Sequence, residues 1–173
     1  NNAFEGVFSK GNIYRGNRAN YSNYGFWLGF SSDCILTDNQ MHGNRQAGIA
    51  VENGMHFKVL NNDIQNNTHG ILIWTRSYEF LRNIPTINAT SSDWLIERNQ
   101  LIQNKKAIRI AANQDHGIRA LHQGESSILP NNHIIQNNEI RDNILGIELE
   151  KATDTQTEQN RMNNLVANLR EIG

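Results

Sequence analysis

Apolar residues in this chain alternate with polar ones over four or five positions and then stop at Asn or Gly. The stretch NNDIQNNTHGILIW, from Asn61 to Trp74, shows the unit in full. It reads Asn, one residue, an aliphatic residue, two more, Asn, a short gap, then Gly-Ile and an alternating run. The unit returns as NQMHGNRQAGIAV (Asn39 to Val51), NQLIQNKKAIRIA (Asn99 to Ala111) and NEIRDNILGIELE (Asn138 to Glu150). Weaker versions are GNIYRGN from Gly11 and NLVANLREI from Asn164. Alternation broken by turn formers is strand behaviour, whereas helical repeats need about 10 to 15 residues of 3.6-periodicity.

Aligning on the Asn-x-aliphatic unit puts Ile13, Met41, Ile64, Leu101, Ile140 and Leu165 in register, at steps of 28, 23, 37, 39 and 25 residues. The short steps predict one turn of a parallel β-solenoid, made of three short strands and three corners. The two long steps predict the same turn carrying an inserted loop, at about 75–92 and 113–131. Both insertions leave after the Gly-Ile strand in consecutive coils, so they should lie side by side. The whole of 1–173 then reads as one domain of six to seven coils, a rod of roughly 30 Å.

Each coil has a strand such as HFKVLN (His56 to Asn61), DWLIER (Asp93 to Arg98) or HIIQN (His133 to Asn137), and then a corner. Asn39, Asn62, Asn99 and Asn138 should stack at that corner, with Gly11 in the first coil. After the short Asn-x-aliphatic strand comes a second column, Asn17, Asn44, Asn67, Asn104 and Asn143. Asn tolerates left-handed backbone at a corner, and its amide can bond the coils above and below. In the Gly-Ile strands, Phe26/Leu28, Ile49/Val51, Ile71/Ile73, Ile108/Ile110 and Ile147/Leu149 should point inward. Trp27/Gly29, Ala50/Glu52, Leu72/Trp74, Arg109/Ala111 and Glu148/Glu150 should point outward.

With this pattern, N-x-I-x-x-N-x-x-x-G-I-x-I, the chain resembles the right-handed parallel β-helix superfamily of pectate-lyase-like proteins, in its short-coil form. The resemblance covers Gly11 to Ile172 and implies an all-β, right-handed parallel β-helix. It says much less about activity, because the superfamily includes polysaccharide lyases, epimerases, hydrolases, adhesins and proteins without chemistry. Most members handle extended carbohydrate along an outer sheet face, and many are exported. The resemblance therefore implies an extended polysaccharide as partner and a secreted, periplasmic or cell-surface location. A non-catalytic spacer, adhesin or assembly subunit is the alternative.

Composition narrows the classes. Asn occurs 27 times against 16 Lys+Arg, and the mean hydropathy of −0.61 reflects amides more than charges. A net charge of −1 without a basic block argues against phosphate-driven nucleic-acid binding and against a polybasic membrane patch. No apolar run approaches the ~18 residues of a membrane span. The chain begins at Asn1 inside a repeat, so further chain or partner subunits are expected to cover the solenoid ends. Cys34 is the only cysteine, and its context DCILTDN suits a small buried side chain. Asn20-Tyr-Ser22 and Asn88-Ala-Thr90 have the form of glycosylation sequons, as chance allows in so Asn-rich a chain.

No motif fixes a reaction. A uronate lyase or epimerase needs a cation for the carboxylate, a base for the C5 proton and an acid. Arg109 on the outer face, with Arg76, Asp115, His116 and Arg119 from the insertions, could supply them. Asp115-His116 resembles the Asp-His pair of β-helix mannuronate epimerases, although the flanking NQDHGIR departs from that motif. Glu148 and Glu150 read as a solvated surface, and Glu52 lies too many coils away to pair with them as a hydrolase would require. Trp27 and Trp74, roughly 10 Å apart by strand spacing, suit sugar stacking, with Glu52, Arg76 and Glu148 along the groove. Trp74 has a second reading, as a satellite core under the first insertion, and Trp94 should pack inside or beneath it. The six histidines show no ligand spacing and no cysteine cluster assists them, so no metal or cofactor is expected. Calcium, which β-helix lyases hold, is the ion left open, but no acidic cluster demands it.

Overall fold

A computed structural model describes residues 1–76, 88–112 and 129–173. Three parallel sheets wrap into a right-handed β-helix, one strand of each sheet per coil. The first has seven strands: β1 (Phe4–Glu5), β3 (Tyr24–Trp27), β6 (Ala47–Glu52), β9 (His69–Trp74), β12 (Lys106–Ala111), β15 (Leu145–Glu150) and β18 (Ala167–Ile172). The second has six: β2 (Ile13–Arg15), β4 (Ile35–Thr37), β7 (Lys58–Leu60), β10 (Leu95–Glu97), β13 (Ile134–Gln136) and β16 (Gln156–Glu158). The third has five: β5 (Gln40–His42), β8 (Asp63–Gln65), β11 (Gln100–Ile102), β14 (Glu139–Arg141) and β17 (Arg161–Asn163).

The expected inward residues of the seven-stranded sheet are buried, from Phe26 and Leu28 to Ile147 and Leu149. They meet Leu36, Val59 and Ile96 from the second sheet and Met41, Ile64, Leu101 and Ile140 from the third. Trp94 lies inside, stacked on Phe57 at 4.3 Å, with its indole N–H given to the Gly54 carbonyl at 2.8 Å. Cys34 is buried in the same interior column, and burial raises its thiol pKa. Gly48 and Gly70 begin long strands where coils press together. A Cβ there would sit 2.8 Å and 2.5 Å from the carbonyl oxygen of the next coil.

Two asparagine ladders run along the corners, with a register that differs from the sequence alignment at both ends. The first is Asn17, Asn39, Asn62, Asn99, Asn138 and Asn160, each side-chain amide bonding the next at 2.9–3.0 Å. Asn17, not Gly11, therefore opens it. The second runs from Asn44 through Asn67, Asn104 and Asn143 to Asn164, and the Ser22 backbone N–H bonds Asn44 at its start. Ile13 pairs with Ile35 instead of aligning with Met41, and Ile140 pairs with Met162 instead of Leu165. The true repeat is 22–23 residues, lengthened to 37 and 39 by the insertions.

The left-handed backbone also falls elsewhere than expected. It belongs to the residue just before the ladder Asn in every rung but the last, Asn164, as at Asp38 (φ 57°), Asn61 (φ 54°), Arg98 (φ 55°) and Asn137 (φ 55°). The same holds at Asn66, Gln103 and Asp142 before the second ladder. One polar residue turns the chain and its neighbour ties the coils together.

Candidate functional site

The outer face of the seven-stranded sheet is built from three columns fixed by strand register. Tyr24, Ala47, His69, Lys106 and Leu145 form one, and Trp27, Ala50, Leu72, Arg109, Glu148 and Arg170 the next. Glu52, Trp74, Ala111 and Glu150 form the third. Because each column runs straight across the coils, the face divides into an aromatic half and an ionic half.

In the aromatic half, Ala47, Ala50, Leu72, Trp74 and Ala111 are buried together, with Tyr24 and Trp27 packed against them. Small side chains at Ala47 and Ala50 let the rings of adjacent coils lean inward. Trp27 and Trp74 approach to 5.5 Å between centroids, nearer than strand spacing implies, and Tyr24 lies 4.9 Å from Trp27. Trp74 is only 4% exposed, so it is a satellite-core residue, whereas Trp27 is half-buried. The Trp74 indole N–H is buried without a hydrogen-bond partner among the described residues. Glu52, also buried, pairs with Arg76 at 3.5 Å.

The ionic half is closed in the same way. Glu148 is 1% exposed, not the solvated carboxylate its sequence context suggests. It pairs with Lys106 at 2.7 Å and with Arg109, while Arg170 lies 3.8 Å away. Arg109 reaches Glu150 as well, at 2.5 Å. A carboxylate withdrawn from water survives only with close cations, and this one has three. Beside it, burial holds the His69 imidazole down to about 4, with Lys106, Arg109 and Lys105 adding to the effect against a contact with the Gln46 carbonyl. Burial also lowers Lys106, helped by Arg109 and Arg170.

The sequence-predicted site residues separate accordingly. Trp27 and Trp74 come together, Glu52 joins Arg76, and Arg109 joins Glu148 and Glu150. Asp115, His116 and Arg119 lie outside the described residues, and so does any approach of His116 to Arg109. Tyr24, His69, Lys106 and Arg170 belong to the face but were missed. The signal for Arg170 was the Gly-Ile register carried one coil further, whereas strict alternation from the inward Ile positions would turn Tyr24, His69 and Lys106 inside and so hid them. Both sequon asparagines use their side chains internally: Asn20 bonds Gln40 and His42, and Asn88 bonds the Ser31 and Asn53 carbonyls.

Hydrogen bonds clamp the stems of the insertions. Asn53 donates to the Arg76 and Asn88 carbonyls and accepts from the Arg76 N–H at 2.8 Å, joining the two stems of the first insertion. Thr90 donates to the Leu129 carbonyl at 3.0 Å, which links the returning stems of both insertions.

Residues 1–168 match a family described as periplasmic copper-binding protein (NosD). The chain belongs to the NosD family. NosD proteins are right-handed parallel β-helices of the periplasm, in agreement with the architecture and with the expectation of an exported chain. No curated protein and no solved structure matches the chain.

Copper is held by imidazole, thiolate and thioether donors, and the described residues do not gather them. Among the described residues no three His, Cys, Asp or Glu side chains form a group able to hold a metal. His42 bonds Asp63 at 2.8 Å, His56 lies between Asp33 and Asp93, and His133 is sealed in the interior. Cys34 gives its Sγ–H to the Ser32 carbonyl at 3.4 Å. This donor set does not fit a copper centre, so no chemistry is routed through one.

Proposed function

We propose that this NosD-family chain is a non-catalytic periplasmic binding protein that takes an extended polysaccharide along the outer face of its seven-stranded sheet. The observation that carries the reading is Trp27, half-buried and wedged between Tyr24 at 4.9 Å and Trp74 at 5.5 Å. An aromatic ring fixed on a rigid sheet stacks a sugar at low entropic cost. The case against catalysis is electrostatic. A lyase needs an arginine whose charge meets the substrate carboxylate, and Arg109 already meets Glu148 and Glu150.

Titration calorimetry against neutral and uronate polysaccharides tests the reading. Trp27→Ala should weaken binding by about tenfold or more, and no unsaturated uronate should form. Binding unchanged in Trp27→Ala, or absent for every polymer, would sink it.

Copper handling is a second reading, favoured by the family description. Its candidate donors are His116 and His122, outside the described residues. Titration of the chain with Cu(I) and Cu(II) decides it: tight binding lost in a His116→Ala/His122→Ala variant supports it, and no binding removes it.

A further inference from the structure

The outer face of the six-stranded sheet carries a feature that neither reading uses. Strand register places Ile13, Ile35, Lys58, Leu95, Ile134 and Gln156 in one outward column. Arg15, Thr37, Leu60, Glu97, Gln136 and Glu158 form the other. Alternation puts Tyr14, Leu36, Val59, Ile96 and Ile135 inside, so the four aliphatic residues of the first column face out. Ile13 is 60% exposed and Ile134 36%. The five-stranded sheet shows the ordinary pattern: its outward positions are Gln40, His42, Asp63, Gln65, Gln100, Glu139, Arg141, Arg161 and Asn163, with Ile102 buried. An aliphatic stripe along an outer sheet face, broken within the sheet by Lys58, is unusual unless something covers it.

We propose that this stripe pairs the chain with a second copy of itself. The argument is the distribution of charge along the face. The cations Arg15 and Lys58 lie toward β2, and the anions Glu97 and Glu158 lie toward β16. A two-fold axis between the sheets, parallel to the strands, sets β2 over β16, β4 over β13 and β7 over β10. Arg15 then faces Glu158, Ile35 faces Ile134, and Lys58 and Leu60 meet Leu95 and Glu97 of the other copy. Such an isologous contact is self-complementary: it sets Arg15 against Glu158 at each end, Ile35 against Ile134 inside them, and Lys58 beside Glu97 of the other copy at the two-fold. A two-fold along the solenoid axis would instead set Arg15 against Ile13 and Glu97 against Leu95. Among the described residues, Arg15, Lys58 and Glu158 have no side-chain partner, while Glu97 is held by Arg98 and Gln136 at 2.9 Å each. The outer charge pair therefore forms at less cost than the inner one. Six strands of three residues give a footprint of roughly 25 by 10 Å, small for a specific interface, so the dimer is a weak one.

Sedimentation velocity on the chain from about 5 to about 500 µM tests this. The apparent mass should approach that of a dimer at the upper end. Ile35→Lys and Ile134→Lys should each weaken pairing by about tenfold or more, with an unchanged β-sheet circular dichroism spectrum. Should a lysine variant lose that spectrum, the charge pair decides. Arg15→Glu should weaken the dimer, and adding Glu158→Arg should restore it, because the two positions meet only across the two-fold. A chain that stays monomeric throughout would leave the stripe to a different protein and overturn the proposal. A dimer indifferent to both lysines, or a charge swap without rescue, would overturn it too.

Discussion

Asn99 gives its side-chain N–H groups to the Val59 carbonyl at 2.8 Å and to Asn138 at 3.0 Å, and its oxygen accepts from the backbone and side chain of Asn62. Replacing it by Ala leaves several buried groups without partners, so Asn99→Ala should cost about 2–4 kcal/mol in a urea titration. The preceding turn responds in the opposite way. Gln103, at φ 56°, carries left-handed backbone that glycine adopts freely. Gln103→Gly should be neutral or stabilising by up to about 1 kcal/mol, whereas Asn104→Gly should destabilise like Asn99→Ala. The ladders were legible because Asn recurs in fixed register. The division of labour was not, since pairs such as Asn61-Asn62 and Asn137-Asn138 look alike until burial separates them. His133 makes a pH prediction at the same scale. It is fully buried, both ring nitrogens lack partners among the described residues, and burial lowers it to about 4, opposed by Asp93. The unfolded chain binds this proton first. Stability is therefore unaffected above about pH 6.5 and falls by up to about 1.4 kcal/mol per pH unit as the pH drops from there toward 4. Melting curves of His133→Phe should lose part of that acid slope, and an unaltered slope would assign it to His69 and the ladders' surroundings instead.

Among the elements, β12 and β15 hold the ion cluster, and its energetics should be lopsided. Glu148→Leu takes the close carboxylate from Lys106 and from Arg109, which keeps Glu150, and should cost about 3–5 kcal/mol, while Arg109→Leu with Glu148→Leu should recover part of the loss. Thermal or urea unfolding of the single and double variants measures both. Element assignment from the sequence was sound where the core residue is large, as at Met41, Ile64, Leu101 and Ile140. It slipped in the first coil because the residue facing Met41's column is Ala19, too small to mark a strand. GNIYRGN then offered Ile13 as a false substitute. At the far end the core residue Met162 is large, but Asn164-Leu165 offered a second Asn-aliphatic signal three residues on.

For the whole molecule, repetition made the fold readable: five coils with identical inward patterns admit one way of stacking. The candidate site was less readable, because exposure on the outer face depends on contacts between coils. Spacing told that Trp27 and Trp74 share a face, but not that Ala50 lets them meet or that Glu148 is closed off by Lys106, Arg109 and Arg170. Self-pairing through the six-stranded sheet has a bulk signature as well. The melting temperature should rise with protein concentration, and Ile134→Lys should abolish the dependence.

The bend after the long strand passes through Phe8 (φ 52°), Phe30 (φ 57°), Asn53 (φ 49°) and Lys151 (φ 50°), and in the two coils between it gives way to the extra chain after Thr75 and Ala112. On either side the ladders continue unbroken across steps of 37 and 39 residues. Closing a longer loop adds little entropy once its ends are held. This bend is thus a port in the scaffold, where a lineage or a designer can exchange whole loops and leave the ladders themselves unaltered.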